Sequence, residues 1–155
     1  MNILNKEQIT KKISKNIVDI DIFDEIDSTN DEAKRINLKN DFHLIVAEKQ
    51  TKGRGRHGKK WSSPDLGNIY MTICTQNDLS FAPISMLTGL ICKDIIVKMN
   101  NSLNIKLKWP NDILFKNKKI GGILVEKELF DSKIKTIVGI GINIKLNEKE
   151  SWWGD

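Results

Sequence analysis

Residues 51–61, TKGRGRHGKKW, decide how the rest of the chain is read. Glycines at 53, 55 and 58 satisfy G-x-G-x-x-G, and residues 53–60 fall one position short of G-x-x-x-x-G-K-[ST]. Either pattern, if real, would make the protein a parallel α/β fold with a helix opening at the glycines to face a phosphate. The residues that follow, KKWSSPDLGN, contain Pro64 and Gly67 and cannot form such a helix. Lys60 also stands where the second pattern needs a hydroxyl for Mg²⁺. Both matches are therefore excluded. What remains is a flexible loop with two arginines, Arg54 and Arg56, a histidine, and Trp61 at its far end.

Working outward, residues 17–26 (IVDIDIFDEI) alternate apolar and acidic side chains, as a strand with one wet face does. Residues 27–39 predict a helix, with Thr29 as its cap, Glu32 three residues on, and Ala33 and Ile36 at helical spacing. Residues 42–49 read as a buried strand and 68–76 as another. Pro83 opens one long helix to about Asn100, with Ile84, Leu87, Ile91 and Ile95 as its core-facing stripe. Strands are expected over 104–109, 112–116, 119–130 and 135–146, the last three separated by turns at Asn117-Lys118 and Asp131-Ser132. The expected class is α+β: a mixed, mostly antiparallel sheet flanked by helices, set on one side of it. With no linker or repeat, residues 1–155 are expected to form a single domain.

Composition narrows the function classes. Hydrophobic content of 39% with 29% charge fits a soluble globular chain. Cys74 and Cys92 have neither disulfide nor zinc spacing, and the N-terminus lacks a signal peptide's apolar stretch, so a cytoplasmic protein is expected, with no membrane partner. The net charge of +5 is mostly dispersed lysine, which reads as a solvated surface rather than a nucleic-acid face. Of 25 basic residues only Arg35, Arg54 and Arg56 are arginine, and two of these sit in the glycine loop. Guanidinium forks grip phosphate or carboxylate bidentately, so this concentration points to anion recognition. Trp61 is either a core anchor or a flat wall for a ring-shaped ligand. KWPND (108–112) and GIGIN (139–143) are two further clusters. The glycines of the second, within a strand, imply close approach of something to the backbone.

Together these motifs resemble the catalytic domain of biotin–protein ligases. DSTNDEA (from Asp27), AEKQTKGRGRHGKKWSSPDLGNIYMTI (from Ala47), KLKWPNDILFKNKKIGGILVE (from Lys106) and VGIGINI (from Val138) occur in the family's order. The resemblance implies the class II aminoacyl-tRNA synthetase/biotin ligase-like fold, and an enzyme that uses Mg²⁺ and ATP to form biotinyl-5′-AMP. Biotin would then pass to a lysine of a biotin carboxyl carrier domain. It implies that Ser28, Thr29, Asn30 and Gln50 bind the biotin head group, and that Arg54, Gly55 and Arg56 form the biotin- and adenylate-binding turn. Trp61 would pack near the ligand, Lys108 would meet the reacting carboxylate and phosphate, and Asn143 would lie on the adenine side. Catalysis would rest on Lys108, Arg54 and Arg56, with ATP held by these and Asn143; no protein metal ligands are implied.

About twenty residues precede the first matching strand, so the repressor-type DNA-binding domain is expected to be absent and DNA binding is not predicted. The chain ends soon after GIGINI, so the family's C-terminal β-barrel domain is also expected to be absent, leaving a minimal or a shortened ligase. Trp152 and Trp153 would cover the core or a dimer contact. The family offers both monomers and homodimers. The rival readings are a lipoate or other acyl-carrier ligase of the same fold, and a non-catalytic biotin or adenylate binder.

Overall fold

The computed structural model describes residues 5–13, 18–64, 67–130 and 132–144. Trp152 and Trp153 lie outside them. A short helix, α1 (Lys6–Lys11), is capped by Asn5, whose Oδ1 accepts from the Gln8 amide at 3.0 Å. Then follow β1 (Val18–Ile26), α2 (Thr29–Arg35), β2 (Phe42–Gln50), β3 (Ile69–Thr75), α3 (Ile84–Met99), β4 (Ile105–Lys108), β5 (Asp112–Phe115), β6 (Lys118–Phe130) and β7 (Lys133–Ile142). The seven strands make one sheet in the order β1-β2-β3-β7-β6-β5-β4. Only β1 and β2 run parallel, joined through α2; every other neighbouring pair is antiparallel. This is the mixed, mostly antiparallel sheet expected from the pattern.

The helices do not share a face. Strand side chains alternate, so adjacent residues of β7 point to opposite sides. Ile137 packs with Ile45, Cys74 and Ala33 of α2, whereas Val138, Ile140 and Ile142 join Ile113, Ile123 and Cys92 of α3. Thus α2 and α3 cover opposite faces, against the expectation of one-sided helices. Residues 135–140 of β7 are consequently all buried, as in a central strand covered on both sides. Apolar periodicity reveals a helix's buried stripe but not which sheet face receives it; strand parity decides that.

The stripe expected on α3 is also mostly wrong. Leu87, Ile91 and Ile95 are exposed, Ile91 at 58%. The helix instead buries Gly89 and Cys92 and packs Ile84, Ile96 and Val97 against the core. A helix apolar nearly all round does not choose its face by period alone. The missing side chain at Gly89 lets α3 come close to Ile123 and Leu107, where an added Cβ would lie 3.4 and 3.6 Å from them.

Helix α2 is shorter than its pattern, and its cap is Ser28 rather than Thr29: Ser28 Oγ accepts from the Asp31 amide at 3.4 Å. Its end is set from outside. Lys135, a β7 residue with no exposed surface, sends Nζ to the carbonyls of Ala33, Lys34 and Ile36 at 3.0, 3.1 and 2.6 Å. Among the described residues no helix is long and apolar enough to cross a membrane.

Candidate active site

The α2 side of the sheet carries polar groups and glycines where the α3 side carries isoleucines. Asn30, at the start of α2, is 4% exposed and fits a notch above Gly139, where a Cβ would lie 2.1 Å from Asn30 Oδ1. Thr72 of β3, wholly buried, places Oγ1 2.7 Å from that oxygen and 2.8 Å from Thr29 Oγ1. Gln50 Oε1 accepts from the Thr29 amide and hydroxyl at 2.9 and 3.1 Å, while its Nε2 donates to Ser63 Oγ at 2.8 Å. Ser63 in turn donates to the Trp61 carbonyl at 3.2 Å. Thr29 and Gln50 are therefore joined at the end of β2 and tied to the segment that leads out of the arginine loop, with Ser28 and Asn30 flanking Thr29 in the chain.

The loop is a tight hairpin: Arg54 and Lys60 form an isolated antiparallel bridge, and the Gly55 amide reaches the Lys59 carbonyl at 2.7 Å. Of its three glycines only Gly58 uses a left-handed φ (74°), beside His57 at 54°. Its two arginines differ. Arg54 donates to Asp31 through Nε and Nη2 at 3.1 and 2.7 Å, and to Glu126 through Nη1 and Nη2 at 3.0 and 2.7 Å. The fork expected to meet a ligand's anion is filled by the protein's own carboxylates. Glu126 also accepts from Asn30 Nδ2 at 2.8 Å and Lys34 Nζ at 3.0 Å. Burial alone would raise its pKa, but the hydrogen bonds from Arg54, Asn30 and Lys34 outweigh that and hold it at about 2. The Glu126 carboxylate correspondingly pushes Arg54 further up.

Arg56 lies nearer the open side. Its Nη1 donates to Asn111 Oδ1 at 3.0 Å, and Asn111 is anchored by Nδ2 to the Ile123 carbonyl at 3.1 Å. The arginine loop and the KWPND turn thus meet through one hydrogen bond. Lys108 sits exposed at the end of β4, where nothing among the described residues pairs with its ammonium. It stands three residues before Asn111, which lies in the turn that Arg56 reaches.

Trp61 lies flat on β6 and β7: a Cβ at Gly141 would fall 2.6 Å from its indole and one at Gly122 3.3 Å. This accounts for the glycines of GIGIN, with Gly139 admitting Asn30 and Gly141 admitting Trp61. Lys119, paired with Asp112 at 2.8 Å, stands 5.5 Å from the ring centroid. Asn143, two residues beyond Gly141, is 3% exposed, and neither its Oδ1 nor its Nδ2 has a partner among the described residues; the same holds for Trp61 Nε1. Buried polar atoms without partners carry a desolvation cost that a ligand presenting donors and acceptors would relieve.

Sequence reasoning missed Thr72, Glu126, Asp31 and Asn111. Period-2 parity puts Gly139 and Gly141 on one face, but Thr72 joins them only through the β3–β7 register; nothing local marks Glu126 or Asp31, which look like ordinary surface acids. Two surface recesses, one of about 430 Å³ lined by Asp19, Asp21, Ile36 and His43, the other by Leu38, Asn40, Gln76 and Lys133, contain none of the motif residues. The site is defined by converging motifs, not by either of these recesses. Among the described residues no group of three or more His, Cys, Asp or Glu is arranged to hold a metal ion.

Known proteins share this fold. Residues 22–145 match the model of the biotin/lipoate A/B protein ligase family. The chain is 36% identical over 104 residues to the bifunctional ligase/repressor BirA of Bacillus subtilis, covering 65% of this chain and 32% of that protein. Its fold resembles the biotin protein ligase of Leishmania major in complex with biotinyl-5-AMP (TM-score 0.73, 30% identity, 88% of this chain and 62% of that one). It also resembles the Aquifex aeolicus biotin protein ligase in complex with biotin and ATP (TM-score 0.70, 34% identity, 86% and 55%). The chain spans about half or less of the length of the curated relatives it matches. With its sheet, its loop and most of its length matching that family, the chain belongs to the biotin/lipoate A/B protein ligase family.

Proposed function

We propose that the chain is the catalytic part of a biotin–protein ligase, which joins biotin to ATP and then transfers it to a lysine of a biotin carboxyl carrier domain. The observation that carries this reading is the Arg56–Asn111 hydrogen bond, which joins the two motifs that would meet opposite sides of the reacting centre. The same loop leads through Ser63 to Gln50 and Thr29, amide and hydroxyl groups suited to a ureido ring.

In the first step a biotin carboxylate oxygen attacks the α-phosphorus of ATP, the bond to the β-phosphate breaks, and pyrophosphate leaves. In the second a lysine amine attacks the acyl carbon of the mixed anhydride, loses a proton, and AMP departs. Neither step needs a protein nucleophile. Arg56 and Lys108, whose ammonium is unpaired among the described residues, supply positive charge where negative charge builds up on phosphate oxygens, and Trp61 and the loop shield the anhydride from water. Mg²⁺ enters with the phosphates of ATP, which supply hard oxygen ligands. Asn143, whose amide atoms have no partner among the described residues, suits the donor–acceptor edge of a purine. Arg54 serves to hold the loop rather than to carry the reacting charge. Buried thiols at Cys74 and Cys92 suit a reducing cytoplasm.

Pyrophosphate release with Mg-ATP, measured with biotin and with lipoate in parallel, tests the reading. Release is expected with biotin and not with lipoate, and Arg56→Ala and Lys108→Ala should each slow it at least about tenfold, roughly 1.4 kcal/mol of barrier. Lipoate-dependent release, or normal rates in both variants, would refute the assignment.

A further inference from the structure

Glu126 accepts four hydrogen bonds on the α2 face, and the chemistry of adenylation has no place for it. Its carboxylate, carried by β6, receives donors from two parts of the chain: Asn30 and Lys34 of α2, and Arg54 at the base of the loop. Asp31 of α2 makes a second bidentate contact with Arg54, and Lys34 lies 3.5 Å from Asp31 and 3.6 Å from Glu128. Both amide atoms of Asn30 have partners within the protein: Oδ1 accepts from Thr72, and Nδ2 donates to Glu126 and to the Leu124 carbonyl at 3.4 Å.

We infer that Glu126 is a positioning residue that ties the arginine loop to the ligand-side helix, so that Thr29 and Arg56 are presented as one unit. Asn30 belongs to this tie and not to the set of groups that touch biotin. A bidentate carboxylate–guanidinium pair has a defined plane and direction, which a single lysine contact lacks. Arg54 is therefore locked in orientation, and the Gly55–Lys59 turn that carries Arg56 begins from a fixed base. Because the helix and the loop share one carboxylate, displacement of either strains the other.

The consequence for catalysis rests on the proposed function; the consequence for the loop does not. Hydrogen exchange of the ligand-free wild type and of Glu126→Gln is the test, read at the Gly55 and Trp61 amides, which bond the Lys59 and Gly53 carbonyls at 2.7 and 2.9 Å. The substitution keeps shape but removes charge and two-oxygen acceptance. Exchange at those amides should rise at least fivefold, while Val138 and Ile140 in β7 stay within twofold. In the same variant KM for biotin and for ATP should each rise at least fivefold with kcat falling less than threefold. A role confined to stability would instead lower the active fraction and leave KM unchanged. Loop exchange within twofold of wild type in a folded variant overturns the inference. If Glu126→Gln does not fold, Arg54→Lys keeps the charge but cannot bridge both carboxylates; it should give the same acceleration, and its absence there is equally fatal. Should wild type release no pyrophosphate with biotin, the functional reading fails while the exchange result still decides the tie.

Discussion

At the scale of single residues, the α2 face is built by pairing a glycine with whatever must approach it. Gly139 exists for Asn30 and Gly141 for the Trp61 indole. Gly139→Ala would drive a methyl into Asn30 Oδ1, which Thr72 and Glu126 prevent from moving aside. Overpacking of this kind costs about 1–3 kcal/mol, so the urea midpoint should drop accordingly and biotin affinity should fall with it. A Gly139→Ala protein of wild-type stability and affinity would mean that the Asn30 notch is not needed. The sequence made these glycines suspicious because strands seldom keep them, yet it could not say what approached. Arg54 illustrates the opposite limit. Its residue type and neighbourhood promised anion binding, and it does bind anions, but they are Asp31 and Glu126. Acids that lie 23 and 72 positions away in the chain leave no local trace.

At the scale of elements, α2 is a seven-residue helix that propensity alone would not hold. It is secured at its start by Ser28 and the Glu126 tie, and at its end by Lys135, whose ammonium takes three of its terminal carbonyls. Lys135→Met would strand those carbonyls in the interior, at about 3 kcal/mol. Stability by urea denaturation should fall by that order with little change in m, and a near-neutral result would show that α2 does not depend on this cap. The helix's existence was legible from the Asp27–Ala33 pattern, but its length was not, since the stop comes from a strand a hundred residues later. For α3 the existence and span were legible, and the buried side was not, because Leu87, Leu90 and Ile91 are as apolar as the residues that pack.

At the scale of the whole molecule, the sheet divides its labour by parity. One face is an isoleucine-rich core under α3; the other gathers Thr72, Gly139, Gly141 and Glu126 under α2 and the arginine loop. The positions of the strands and the class followed from the element pattern, because alternating runs and turn residues are local signals. The division of faces did not, because it depends on register across strands far apart in sequence. The account therefore stands or falls on whether ligand is bound on the α2 face. The most direct measurement is a titration of the ¹⁵N-labelled chain with biotin, followed by the backbone amides and the Trp61 indole N–H. Shifts should concentrate at Thr29, Gln50, Trp61, Thr72 and Gly141, leaving Cys92, Ile96 and Val97 of α3 in place. Shifts centred on α3, or none at saturating biotin, would contradict the account.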